Sequence, residues 1–416
     1  MNRILISTLA LAGALVAQAE VFDYDLTKPQ PVYTDSIGYG YDFGTQTDPK
    51  SKIPAPFYFS AKVPEGNYKV TLTLGNRKKA SNTTVRAENR RLLGQNIEVA
   101  KGKTAQKTFF VNTRRPEIAD GKQVRINPRE IGVPSWDDKL TLEFTGPAPA
   151  VQNIRIEPVT EADSVVTFFL VGNSTVVDQA YEPWASWGQI IPAWFDSHVV
   201  VANHAESGQR ASSFIDSNRW DKVMSQVKPG DYIIVEFGHN DQKEKGAGKG
   251  AYYNFAHNVK LFIDQAREAG ANIILATPAA RRQFDDQGKI KDTHLDYPQA
   301  IRDIAARENV PLIDLNEMTK TLYAAWGPEK SKKAFVHYPA NTFPDQPKAL
   351  ADNTHFNPFG ATEIARCIAE GLKASVPALA AHLVDVPTFD PANPDQPEDF
   401  TWYPAQLIVI EKPYGD

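Results

Sequence analysis

Cysteine is almost missing from this 416-residue chain: Cys367 stands alone, so no disulfide can form within it. Cys367 falls in a helical pattern with Ile364 and Ile368, the setting of a buried structural thiol rather than a reactive one. A basic excess is also lacking. The 45 Lys and Arg against 50 Asp and Glu give a net charge of -5, which disfavours nucleic acid as a generic partner. The eight histidines show no metal-ligand spacing, which argues against a zinc hydrolase, and no metal is expected at the site. The apolar run Ile4–Val16 falls short of the roughly 20 residues needed to span a bilayer, so no membrane partner is expected.

That run has another reading. Arg3 supplies a positive n-region, Ile4–Val16 an apolar h-region and Ala17-Gln18-Ala19 a small-x-small cleavage site. Residues 1–19 therefore read as a signal peptide, with a mature start at Glu20 and an exported, periplasmic or extracellular protein. Behind it, 42% apolar and 23% charged residues are ordinary for a soluble globular protein. The length exceeds what one hydrophobic core usually serves, so two domains are expected.

Residues 20–160 read as an all-β sandwich. Short segments at 56–60, 68–74, 83–87, 107–111, 139–144 and 151–156 mostly alternate apolar and polar residues, and Pro64-Glu65-Gly66-Asn67 marks a turn. Residues 161–385 change texture. Strands are predicted at Val165–Val171, His198–Ala202, Asp231–Phe237, Asn272–Thr277 and Val310–Leu315. Between them Phe255, Val259, Phe262, Ile263 and Ala266 repeat at helical spacing, as do Ile301, Ile304 and Ala305, and later Ala361, Ile364, Ala365 and Ile368. Such alternation predicts an α/β fold, a parallel five-stranded sheet with helices on both faces, with ligand sites at the carboxyl ends of the strands. Residues 386–416 form a Pro-, Asp- and Asn-rich C-terminal extension. Its run Gln406-Leu407-Ile408-Val409-Ile410 is read as a strand returning to the β domain.

The chain is organised around the end of the first of these strands. Val165-Val166-Thr167-Phe168-Phe169-Leu170-Val171 reads as buried on both faces, and Gly172 then lets the chain turn so that Ser174 emerges at its carboxyl end. Three further segments fall at comparable places: Glu206-Ser207-Gly208-Gln209, Gly238-His239-Asn240-Asp241, and Asp352-Asn353-Thr354-His355 ahead of the last helix. Taken in this order, the four segments over about 160 to 385 resemble the SGNH (GDSL-type) hydrolases, whose four named residues would be Ser174, Gly208, Asn240 and His355.

The resemblance implies acyl transfer to water. A hydroxyl is a poor nucleophile at its own pKa; His355 would take its proton and return it to the leaving alcohol. Asp352 would orient that imidazole and stabilise its charged form. The backbone N–H groups of Ser174 and Gly208 and the amide of Asn240 would bind the oxyanion. One departure stands out: the family's first block usually reads Gly-Asp-Ser, and here it is Gly172-Asn173-Ser174.

A closer resemblance is to rhamnogalacturonan acetylesterases. It rests on Val171-Gly172-Asn173-Ser174-Thr175-Val176, Trp187-Gly188-Gln189, Phe237-Gly238-His239-Asn240-Asp241, Thr277-Pro278-Ala279-Ala280-Arg281-Arg282, Asp292-Thr293-His294-Leu295-Asp296-Tyr297-Pro298 and Asp352-Asn353-Thr354-His355-Phe356-Asn357. It implies a secreted, cofactor-free esterase acting on an acetylated polysaccharide or oligosaccharide. The β domain resembles the galactose-binding-like jelly rolls that precede some secreted carbohydrate esterases, through strand order and its closing Asn153-Ile154-Arg155-Ile156-Glu157. For substrate binding the sequence offers His239, Arg281, Arg282 and Trp187. The arginines either meet the carboxylates of an acidic polysaccharide or bond nearby protein groups, and Trp184 and Trp187 either stack on sugar rings or pack with Ile190, Ile191 and Trp194. A lipase or thioesterase of the same fold, and a non-catalytic carbohydrate-binding protein, are the competing functions.

Overall fold

The computed structural model describes residues 20–46, 55–405 and 412–414. Both the leader at 1–19 and the run Gln406–Ile410 lie outside the described residues.

Alternation builds the first half. In β4 (Gly66–Leu74), Tyr68, Val70, Leu72 and Leu74 are buried while the residues between them are half-exposed, the period of two that gives a sheet one apolar face. With β1 (Phe22–Asp25), β7 (Ala105–Thr113) and β9 (Val151–Pro158), it forms an antiparallel sheet of order β1-β9-β4-β7. The second sheet has order β2-β3-β8-β5-β6, from β2 (Tyr39–Asp42), β3 (Phe57–Lys62), β5 (Ser81–Ala87), β6 (Arg91–Val99) and β8 (Lys139–Ala148). Val70, Leu72, Phe59, Leu142, Phe144 and Ile154 lie in the core between them. Strands β1, β2 and β6 were not expected: the first two are four residues long, and β6 opens with two buried arginines, Arg90 before it and Arg91 within it, which break any apolar alternation.

The second half is the parallel sheet that the sequence predicts. β10 (Val166–Gly172), β11 (Val199–Asn203), β12 (Tyr232–Glu236), β13 (Asn272–Ala276) and β14 (Leu312–Ile313) run in the order β11-β10-β12-β13-β14. As an inner strand, β10 is covered on both sides: Phe168 and Leu170 enter one core with Trp187, Ile364 and Ile368, while Phe169 and Val171 enter the other with Val259, Phe262 and Ile301. Helices α4 (Ala256–Glu268) and α5 (Tyr297–Glu308) cover the latter face, and α6 (Leu315–Lys330) and α7 (Pro358–Ser375) the former. Short helices α1 (Trp187–Ile190), α2 (Ala211–Asp216) and α3 (Arg219–Met224) fill the first crossovers. Cys367 is buried inside α7, and burial holds its thiol far above its ordinary pKa.

The fifth strand is shorter than predicted. Pro311 precedes it without an N–H to donate, and α6 already begins at Leu315. A further difference concerns the segment carrying His355. It precedes the last helix as expected, but lies in a strand that was not foreseen, β16 (Leu350–Phe356), paired antiparallel with β15 (Phe335–Tyr338).

From the extension, Trp402 lies against the Arg86 guanidinium at 4.6 Å, and Gln95 donates to the Thr401 carbonyl at 2.6 Å. No helix among the described residues is long and apolar enough to cross a membrane.

Candidate active site

The site begins where β10 runs out of sheet. A Cβ on Gly172 would stand 2.6 Å from Val176 Cγ2 and 2.9 Å from the Glu236 carbonyl oxygen, so only glycine lets the chain turn between its neighbours. Asn173 then organises the turn. Its Oδ1 accepts the Thr175 N–H at 3.2 Å, and its carbonyl accepts Val176 and Val177 N–H at 3.0 Å each. Ser174 sits on this turn with 3% of its surface exposed.

Two hydrogen bonds link it to β16. Ser174 Oγ lies 2.9 Å from His355 Nε2, and His355 Nδ1 lies 2.8 Å from Asp352 Oδ2. The other Asp352 oxygen accepts the N–H groups of Thr354 at 2.9 Å and His355 at 3.0 Å. Burial would raise the Asp352 pKa, but its bonds to the His355 ring and to the two amides outweigh that and hold the carboxyl well below its ordinary range. The imidazole is thereby aimed: one nitrogen is tied to an anion and the other faces the serine hydroxyl.

Gly208 and Asn240 lie on neighbouring crossovers. Gly208 adopts φ +80°, a left-handed conformation that disfavours any side chain. Asn240 donates through Nδ2 to the Gln209 carbonyl at 3.1 Å, and its Oδ1 accepts from Lys243 Nζ at 3.2 Å. This fixes the amide orientation and leaves a second N–H on Nδ2. Asp241 ties the two crossovers together, accepting Ala211 N–H at 2.8 Å and Gly238 N–H at 2.9 Å; burial pushes its pKa up to about 7.

The proposed sugar contacts fare differently. Trp187 has no exposed surface on which a ring can stack; its indole N–H donates to Glu236 Oε2 at 2.7 Å. Trp184 is equally buried. The stacking role of Trp187 is corrected to core packing: the indole lies in the core with Phe168, Leu170 and Ile364. Arg281 donates to the His239 carbonyl at 3.0 Å. Arg282 bonds Ser331 Oγ at 2.9 Å and Asn353 Oδ1 at 2.8 Å, and also the Pro328 carbonyl. Both guanidiniums bond protein groups, the second of the two roles that the sequence leaves open for them. His239 is buried edge-on against His294, at 4.5 Å between ring centroids. Burial above all, then His294 and Arg281, holds its pKa far below the ordinary value and keeps the ring neutral.

Sequence reasoning missed Glu236. It is fully buried at the end of β12 and receives, besides the Trp187 indole, the Ala279 N–H at 3.3 Å, and burial pushes its pKa up to about 7. The available signal was an acid closing an otherwise apolar strand, Tyr232-Ile233-Ile234-Val235-Glu236. Among the described residues, one group of side chains has the make-up of a metal site: Asp196, His198 and His382, whose ligand atoms lie within 4.8 Å of one another. It stands at the amino end of β11, away from Ser174, and each imidazole already meets the Asp196 carboxylate at 3.2 Å.

A parallel sheet with a Ser–His–Asp relay at its carboxyl edge, a glycine on one neighbouring crossover and an asparagine on the next defines an SGNH-type ester hydrolase. Residues 170–363 match the GDSL-like Lipase/Acylhydrolase family. The chain is 42% identical over 221 residues to the rhamnogalacturonan acetylesterase RhgT of Bacillus subtilis, a match covering 53% of this chain and 94% of that protein. It is 29% identical over 322 residues to the uncharacterized esterase YxiM of the same organism, covering 76% and 74%. A crystal structure of YxiM superposes with a TM-score of 0.48 at 24% identity, covering 85% of this chain and 98% of that one. The chain belongs to the GDSL/SGNH hydrolase family and is a carboxylic ester hydrolase.

Proposed function

We propose that the protein is an exported serine esterase that removes O-acetyl groups from a plant cell-wall polysaccharide, rhamnogalacturonan being the favoured substrate. The observation that carries this reading is the relay Ser174 Oγ–His355 Nε2–Asp352, at 2.9 and 2.8 Å. The substrate rests on likeness to a relative named as a rhamnogalacturonan acetylesterase, and export on the pattern at 1–19. The galactose-binding-like character of the β sandwich remains part of the same proposal, with a sugar as its ligand.

In this mechanism Ser174 Oγ attacks the acetyl carbonyl while its proton passes to His355 Nε2. Negative charge gathers on the former carbonyl oxygen and is met by the N–H groups of Ser174 and Gly208 and by the second N–H of Asn240 Nδ2. Collapse breaks the bond to the sugar oxygen, which takes the proton from His355, and leaves an acetyl-serine. Water, deprotonated by His355, attacks that ester; acetate leaves and the hydroxyl is restored. No metal or organic cofactor enters the scheme.

The test is acetate release from acetylated rhamnogalacturonan, homogalacturonan and xylan by the parent and by Ser174→Ala. Rhamnogalacturonan is expected to be deacetylated fastest, and the variant to be inactive with unchanged circular dichroism. Equal rates on all three polymers would remove the substrate assignment, and an active Ser174→Ala would remove the mechanism.

A further inference from the structure

The tip of the β5–β6 hairpin leaves its own sandwich and enters the hydrolase. Its connection, Glu88-Asn89-Arg90, holds two non-glycine residues at positive φ, Glu88 at 53° and Arg90 at 59°. Arg90 and Arg91 are 2% and 1% exposed, and the next residue, Leu92, belongs to the core of the α/β layer rather than to that of the sandwich. Both guanidiniums end on the stretch between Ser174 and α1. Arg91 Nε and Nη2 donate to Asp178 Oδ2 at 3.0 and 2.9 Å, while Nη1 returns to the Asn112 carbonyl of β7 at 3.0 Å. Arg90 Nη1 donates to the carbonyls of Gln179 at 3.0 Å and Trp184 at 2.8 Å, and Nη2 pairs with Glu182 at 2.7 Å.

The stretch passes this hold on to the serine. Gln179 Nε2 donates to the Ser174 carbonyl at 2.8 Å. Asp178 Oδ1 accepts from Asn203 Nδ2 at 2.8 Å, and the same amide reaches the Val176 carbonyl at 2.7 Å. The nucleophile turn is thus fixed on one side by its own strand and on the other by two arginines of a different layer. Asp178 is itself 3% exposed, and a buried carboxylate stays in place only with a charged, hydrogen-bonded partner. That partner comes from the sandwich. We propose that Arg90 and Arg91 are positioning residues for Ser174, so that the β sandwich is a working part of the esterase site.

This rests on the reading of Ser174 as nucleophile, and the two can fail separately: an active Ser174→Ala sinks that reading, whereas the Arg91 variants test the positioning role once Ser174→Ala is dead. Misplacing a reacting atom by about 1 Å costs on the order of 10²-fold in rate, whereas a merely structural contact would lower stability and leave turnover alone. The informative variant is Arg91→Met with Asp178→Leu in the full chain, which removes the pair without stranding a charge and so preserves folding. Its kcat on 4-nitrophenyl acetate is expected to fall at least tenfold with KM within twofold of the parent, and phosphorylation of Ser174 by diethyl 4-nitrophenyl phosphate to slow in parallel. Glu65→Gln is the control. It weakens another contact between the layers, Glu65 Oε1 with Lys222 Nζ at 2.7 Å, and is expected to keep the parent kcat. If the double variant does not accumulate folded, Arg91→Lys retains the charge but not the paired bonds, and the same loss of kcat at constant KM is expected. Parent-like kcat in the folded Arg91 variant, or an equal loss in Glu65→Gln, overturns the proposal.

Discussion

Asn173 is where this chain departs from the Gly-Asp-Ser block, and its surroundings give the reason. Thr175 Oγ1 lies 3.0 Å from Asn173 Oδ1 and 2.9 Å from Glu236 Oε1. One hydroxyl hydrogen cannot serve two acceptors. The arrangement closes if Glu236 is protonated and donates to Thr175, which in turn donates to Asn173, and burial does hold Glu236 up to about 7. An aspartate at 173 would place a second carboxylate against the same hydroxyl, and two such acids cannot both ionise cheaply. Asn173→Asp is therefore expected to lower the melting temperature more at pH 8 than at pH 5.5, and Asn173→Asp with Glu236→Gln to recover most of the difference. Equal losses at both pH values in thermal scans would show that the hydroxyl is not shared in this way.

At the scale of the element, α7 follows two residues after His355 and starts from Asn357. That side chain caps the helix, accepting Gly360 N–H at 3.0 Å, and its Nδ2 donates to the carbonyls of Lys333 at 2.7 Å and Phe335 at 3.2 Å. One residue thus joins a helix start to the strand pair that carries Asp352 and His355. Asn357→Ala is expected to cost about 1–2 kcal/mol of stability, read from denaturant unfolding. A loss below about 0.5 kcal/mol would mean that water replaces the cap. Elements of this kind were legible where periodicity was strong: α4, α5 and α7, and strands β10 to β13, follow from apolar residues at the spacing of a helix or of a doubly buried strand. The four site segments could be read because each falls where such an element ends. Contacts made at long range were not legible. Arg90 and Arg91 look like an ordinary charged turn, because burial by another layer leaves no trace in local spacing, while the spacing of Trp187 from Ile190 and Ile191 fits stacking and packing equally well. Strand β16 was hidden for a related reason: Asp352-Asn353-Thr354 is poor in β-formers, and only pairing with β15 makes it a strand.

For the molecule as a whole, the same buried groups set how stability depends on pH. Burial raises Glu236, Asp241 and Glu363 to about 7, and Glu88 and Glu206 to about 8. Asp137 adds to the effect at Glu88 and Glu130 at Glu206, while nearby arginines oppose it at both. Each such acid stays protonated in the fold after the unfolded chain has released its proton, so its contribution declines from the unfolded pKa near 4 up to the folded value. Buried histidines act with the opposite sign. Burial lowers His294 to about 3, holds His204 and His239 far below 6.5 and lowers His337 as well, so each costs stability as pH falls through 6.5 and nothing above it. Between about pH 4.5 and 6.5, the five acids are largely offset by the four histidines, which leaves a shallow decline. Above 6.5 the acids act unopposed. Between pH 7 and 8 two remain unbalanced, each contributing a slope of up to about 1.4 kcal/mol per pH unit. The melting temperature is expected to decline gently from pH 5 to 6.5 and to fall by several degrees by pH 8, with Glu206→Gln removing about a third of that steeper fall. A melting temperature that rises from pH 6.5 to 8 would mean that these acids are ionised within the fold, among them Glu206 at its junction with Glu130 and Arg219, where the sandwich meets the hydrolase.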